Sequence, residues 1–246
     1  MDSITISAAS GLRSRLESLH MLANNLANAN TAGFKTDREF YSLYIAPVAG
    51  NATNETIGLA PVLQRPWTDF SQGLLQPTGN HTDMAISGKG FFTVNTNNGP
   101  AYTRNGSFHL ASDGELVTSE GYPVQLTGGG SVHAKVGGAL EVGTDGTIRQ
   151  DGQVLGQLQV VDFTDTSGLT KMGNSYFRDA ENKSLPVPAK GVEVFQGKVE
   201  NSNVTVAESA VRMVGIMRQF EMLRKAISLG ADIDRQAVQE VARVGS

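Results

Sequence analysis

Apolar residues near the N-terminus recur at helical spacing. Leu12, Leu16, Leu19, Ala23 and Leu26 follow one another at alternating steps of four and three, which is a heptad seam along one helix. The pattern predicts a helix from about Ile4 to Asn28, starting near Ser3 and ending in Asn28-Ala29-Asn30-Thr31-Ala32-Gly33. Asn and Gly there favour non-helical or left-handed backbone. At 1.5 Å per residue the helix is about 40 Å long. A second helical pattern opens at Thr205-Val206-Ala207-Glu208, which has capping-box spacing. Ala210, Met213, Met217, Phe220, Ile227 and Ala231 continue its stripe, Ile216 and Leu223 widen it, and polar Arg224 and Asp234 interrupt it. Gly215 costs about 1 kcal/mol against Ala in a helix interior, so a close backbone approach is expected there.

Between the helices the period changes to short alternating or apolar runs, as in Gly90 to Val94, Glu115 to Thr118, Thr147 to Gln150 and Gly156 to Phe163. Asp113-Gly114, Asp145-Gly146 and Asp151-Gly152 supply the positive-φ positions of tight hairpins, so mostly antiparallel strands are expected. Pro47, Pro61, Pro66 and Pro77, set among Gly, Asn and Thr, mark an extended connector. The expected fold class is α+β, with two long terminal helices in a coiled-coil-like stem flanking a mainly antiparallel β domain. Residues 1–35 and 201–246 form the stem, 36–80 the connector and 81–200 the β-rich domain. A long helix with an apolar seam needs a partner, because an isolated helix is marginal in water. Pairing the termini leaves apolar faces for neighbouring copies; folding the same stripes back onto the β domain makes a monomer. The pattern alone leaves both open.

Composition narrows the function. The chain has 246 residues, 28 of them glycine, with 39% hydrophobic and 18% charged. That is a folded, turn-rich protein and not a disordered one. A net charge of −4 gives no general attraction to nucleic acid or anionic lipid. No cysteine is present, which removes disulfides, thiolate metal sites and thiol nucleophiles together. Arg13, Arg15 and Glu17 interrupt the first apolar pattern, so a cleaved secretory signal is not expected.

Candidate chemistry is sparse. Gly88-Lys89-Gly90 lacks the spacing and the Lys-Ser/Thr ending of a phosphate loop. His20, His81, His109 and His133 show no pairing at ligand spacing. Asp113, Asp145 and Asp151 each precede Gly in a turn, which accounts for them without acid–base chemistry. No nucleophile elbow occurs. No catalytic, cofactor or metal residue is therefore assigned, and an enzyme is not expected.

Asn24-Asn25-Leu26-Ala27-Asn28-Ala29-Asn30-Thr31-Ala32-Gly33-Phe34-Lys35 resembles the N-terminal signature of flagellar rod and hook proteins. Ile86 to Phe92, Tyr102 to Phe108, Asp113 to Val117 and Gly121 to Gln125 resemble further rod-protein stretches in the same order. Gln196 to Val204, which includes Ser202, Asn203 and Val204, resembles the lead into their C-terminal helix. Met1 to Ile6 carry no matching feature. The resemblance is to the flagellar basal-body rod family, and the length leaves no room for a hook protein's extra domain. Arg218 to Met222 is more similar to the proximal than to the distal rod group.

What this resemblance implies is a self-assembling axial subunit of the periplasm-spanning rod. It would be exported through the flagellar type III apparatus without a cleaved signal peptide, and would contact its own copies and other rod proteins. Assembly residues are expected on the helical seams, at Leu12, Leu16, Leu19, Leu26, Met213, Met217, Phe220 and Ile227. Asn25, Leu26, Ala27, Asn28, Gly33 and Phe34 carry the motif at the first helix end. The alternatives are a distal rod or hook-type axial protein, an extracellular β-rich binding module, or a hydrolase with an unrecognised site.

Overall fold

The computed structural model describes residues 3–39, 41–45, 59–63, 66–135, 137–173, 175–180 and 184–244. It divides into two compact units. The first holds the two long helices with residues 37–68, and the second holds residues 28–36 and 69–204. Residues 46–58 of the expected connector lie outside the described residues.

In the first unit, α1 runs Ser3–Ala27 and α2 runs Val206–Val244. Helix α2 begins directly after Thr205, the expected cap. Gly11, Ser14, Ser18, Leu22 and Asn25 form the buried stripe of α1. Small residues dominate it, and the Ser18 hydroxyl satisfies itself by donating to Ser14 O at 3.0 Å. Leu223 of α2 packs at Gly11, where a Cβ would sit 3.6 Å from the leucine Cδ1. Along α2 the inward positions are Ser209, Met213, Ile216, Phe220, Leu223, Ile227 and Gly230, an unbroken four-three alternation. The close approach expected at Gly215 is absent: that residue is exposed and a Cβ there would meet nothing within 4 Å. Its position lies off the inward stripe, so the contacting glycine is Gly11. Among its described residues the unit also has two short ladders, Asp37–Arg38 with Trp67–Thr68 and Tyr41–Ile45 with Leu59–Leu63.

In the second unit every strand pairing among the described residues is antiparallel. Its largest sheet has six strands in the order Leu169–Gly173, Tyr176–Asp179, Gly99–Thr103, Phe91–Thr96, Val160–Phe163, Pro186–Pro188. Successive side chains along a strand face opposite ways, so Phe91 and Phe92 enter different cores. Phe92 joins Phe108, Met84, Leu116, Ile148 and Val194, whereas Phe91 joins Tyr102, Phe163 and Phe177. The Asp-Gly turns stand where expected. Asp151 and Gly152, at φ 52° and 76°, make the two-residue hairpin between Thr147–Gln150 and Gln153–Gln157. The run from Gly156 to Phe163 is two strands and not one. Gln153–Gln157 pairs within a three-stranded sheet, and Val160–Phe163 crosses into the six-stranded one.

Candidate functional site

The motif residues fall in both units, and each set has its own surroundings. In the helical unit, the Asn25 side chain copies a strand partner: Oδ1 accepts from Asp37 N at 3.0 Å and Nδ2 donates to Asp37 O at 2.9 Å. The residue is 1% exposed, so both amide groups are paired as burial demands. Ala27 ends α1; Asn28, the first residue of the second unit, receives the Thr31 N–H on its carbonyl and the Thr31 hydroxyl on Oδ1. Leu12, Leu19 and Leu26 are half-buried beside the inward stripe, and Leu16 is 44% exposed. On α2, Met213, Phe220 and Ile227 are half-buried and Met217 is 50% exposed.

In the β unit, the segment after α1 and the segment before α2 lie side by side. Gly33 has φ 69° and donates its N–H to Glu200 O at 2.7 Å. A Cβ at Gly33 would stand 2.2 Å from Asn105 N, so both the backbone angle and the approach require glycine. Phe34 is buried with the Lys171 ammonium 4.2 Å from its ring centroid. Asn203 Oδ1 accepts from both Thr36 N and Thr36 Oγ1 at 2.8 Å, and Asn203 Nδ2 donates to Asp69 O at 2.8 Å. Ser202 Oγ accepts from Val204 N at 3.2 Å, turning the chain toward α2.

At the centre of this junction lies an ion triad that the spacing of residues did not reveal. Lys35 Nζ donates to Glu200 Oε1 at 2.5 Å and to Ser71 O at 2.7 Å. Arg104 donates through Nη1 to Glu200 Oε2 at 3.1 Å and through Nη2 to Gly88 O at 2.7 Å. Gly73 N completes the carboxylate at 2.8 Å. The side chains of Lys35 and Glu200 are fully buried. Burial pushes the Lys35 ammonium below the ordinary lysine range and outweighs the Glu200 carboxylate that favours its charge. Burial likewise lowers Arg104. All three residues stand in stretches that carry the family resemblance, but Glu200 lies 165 residues from Lys35 and 96 from Arg104, which leaves no pattern along the chain. Burial of charged residue types inside those stretches is the missing signal.

Among the described residues no group of three or more metal-ligating side chains occurs, and no helix is long and apolar enough to cross a membrane. The polar groups of this junction bond one chain segment to another.

Comparison with known proteins gives the chain its family. Three family models match in order: flagella basal body rod protein over residues 7–35, the flagellar hook protein FlgE/F/G D1 domain over 85–156, and the flagellar basal body rod FlgEFG protein C-terminal over 196–240. The chain belongs to the flagellar basal-body rod protein family. It is 33% identical to the flagellar basal-body rod protein FlgF of Caulobacter vibrioides, with 92% of each chain covered. It is 31% identical to the rod protein FlgG of Bacillus subtilis, with 94% of this chain and 96% of that one covered. As a member of this family it is a structural subunit of the basal-body rod and not an enzyme.

Proposed function

We propose that this subunit assembles through the outer faces of its terminal helices, as a proximal segment of the rod. The observation that carries this is a set of exposed apolar residues on the side of α2 away from α1, interleaved with Arg218 and Lys225. Val211, Val214, Met222, Leu229 and Ile233 are all at least half exposed and lie off the stripe that α2 turns toward α1. Exposed valine, methionine, leucine and isoleucine side chains on that side gain from burial against a neighbour, and a polymer of stem-like pairs supplies that partner. Leu16 and Met217 add to the exposed apolar surface of the pair. The seam residues Leu12, Leu19, Leu26, Met213, Phe220 and Ile227 then serve both the helix pair and its neighbours. Copies of this chain and other rod proteins are the partners, with no nucleic acid and no direct lipid contact. Passage through the flagellar type III apparatus, without a cleaved signal peptide, accords with the charged first helix and the lack of cysteine. The similarity of Arg218 to Met222 to the proximal group supports the proximal position.

Because the chain has no cysteine, single cysteines report contacts cleanly. Leu229→Cys should give cross-linked oligomers in isolated basal bodies, and a cysteine at buried Ser209 should not. A subunit present in basal bodies but never cross-linked at Leu229 would count against assembly through this face. Absence of the subunit from basal bodies would count against the rod position itself.

A further inference from the structure

We propose that Glu200 is a closing latch of the β unit, which keeps the unit from completing its fold until the C-terminal segment has arrived. Two cations, Lys35 and Arg104, are buried against one carboxylate, and each carboxylate oxygen takes one of them. Asp69 and Asp162 add weaker attraction to Lys35 and Arg104 respectively. Glu200 supplies the largest compensation for both. A buried charge without its partner is strongly unfavourable, whereas an apolar replacement of a whole buried ion group is often neutral. The triad is thus a poor source of net stability and a strong source of dependence of one segment on another.

The order along the chain gives that dependence a direction. Lys35 and Arg104 come early, and Glu200 comes last, on the strand Lys198–Glu200 that pairs with Leu75–Pro77. The chain emerges N-terminus first and a compact unit folds as a whole, so Lys35 and Arg104 are present before the residue that completes their site. Until residue 200 is in place, closing the unit would bury two unpaired cations and strand the Gly73 N–H. The arrival of Glu200 gives each cation a carboxylate oxygen, takes the Gly73 N–H, and brings its own carbonyl to Gly33 N. The segments that adjoin the two helices are fixed in the same event. Folding of the β unit is in this way tied to the presence of the residues that lead into α2.

The test uses the full chain and needs no assembled rod, so its outcome is separable from that of the assembly reading. Refolding is followed by pulsed hydrogen exchange. In the wild type, the core strands Phe91–Thr96 and Val160–Phe163 should gain protection in the same phase as residues 198–203. In Lys35→Met/Arg104→Met/Glu200→Gln the charges are gone and an oxygen remains for Gly73, so the core strands should become protected first. Glu200→Gln alone should lower the folding equilibrium constant by about 10²–10³-fold, or prevent folding. The latch is overturned if wild-type core strands are protected before residues 198–203, if the triple variant keeps the single phase, or if Glu200→Gln folds as well as the wild type.

Discussion

Thr36 and Asn203 stand 167 residues apart in the chain, yet one oxygen of Asn203 accepts both the backbone N–H and the hydroxyl of Thr36, each at 2.8 Å. The other end of the same amide is used as fully, donating to Asp69 O at 2.8 Å and to Ser71 O at 3.1 Å. An amide suits this place because one side needs an acceptor and the other a donor. Asn203→Asp keeps the acceptor, loses both donors and turns a negative oxygen toward two carbonyls. The variant should lose about 1–3 kcal/mol, seen as a lower urea midpoint with an unchanged slope. A midpoint equal to the wild type would show that the amide donors contribute nothing.

Gly33 and Gly79 allow a clean comparison at similar backbone angles, φ 69° and 74°. At Gly79 a Cβ would meet nothing within 4 Å, whereas at Gly33 it would overlap Asn105 N and Arg104 C. Gly79→Ala should therefore cost only the left-handed strain, about 1 kcal/mol. Gly33→Ala should cost clearly more, because backbone cannot move aside as a flexible side chain can. Equal thermal shifts in the two variants would remove the close approach from the account.

What the sequence could show depended on how local the cause was. The ends of α1, the start of α2 and the Asp-Gly hairpins follow from neighbours a few residues apart, and they were legible. The face that α1 buries was less so. A search for apolar periodicity picks Leu12, Leu16, Leu19 and Leu26, but the buried stripe is built of Gly11, Ser14, Ser18, Leu22 and Asn25. Small residues permit a close helix approach, and Ser18 hides its hydroxyl in its own backbone, so neither signals burial by polarity. The ion triad was invisible for a different reason. Lys35, Arg104 and Glu200 look like solvated charges until the strand pairing brings them together.

Tyr176 and Glu120 provide a pH-dependent element beside an open recess of about 230 Å³. Burial first, then the bond it donates to the Glu120 carboxylate, raises the Tyr176 pKa well above its ordinary value. Burial alone would raise Glu120, but hydrogen bonds from Tyr176, from its own backbone and from Ser119 and Thr118 together hold it below its ordinary value. A carboxylate lowered on folding contributes stability above its unfolded pKa, and that contribution is lost as pH falls through the folded pKa. Tyr176→Phe should be less stable than the wild type at neutral pH, and the difference should shrink below about pH 4. Urea midpoints between pH 3 and 7 measure this, and a gap that stays constant would exclude the carboxylate as its source.

Ile216 and Met217 are consecutive residues on α2 with opposite surroundings. Ile216 is 7% exposed on the inward stripe, and Met217 is 50% exposed. A charge placed at Ile216 would be buried without a partner, so Ile216→Asp should destabilise the helix pair by several kcal/mol (about 3–5 for a buried unpaired charge). In the isolated subunit this should appear as lost helical signal, while the aromatic cores of the β unit keep theirs. Met217→Asp should leave the isolated subunit within about 0.5 kcal/mol of the wild type, as a surface change does. Yet if the exposed apolar surface of the helices is covered in the assembled rod, the same substitution buries a charge in every subunit contact. It should then abolish motility in a strain that lacks the wild-type subunit, without lowering the amount of folded protein. Loss of helical signal in isolated Met217→Asp would place this residue in the subunit's own core. Normal motility with Met217→Asp would show that the face stays in solvent after assembly, and would move the subunit contact elsewhere on the helices.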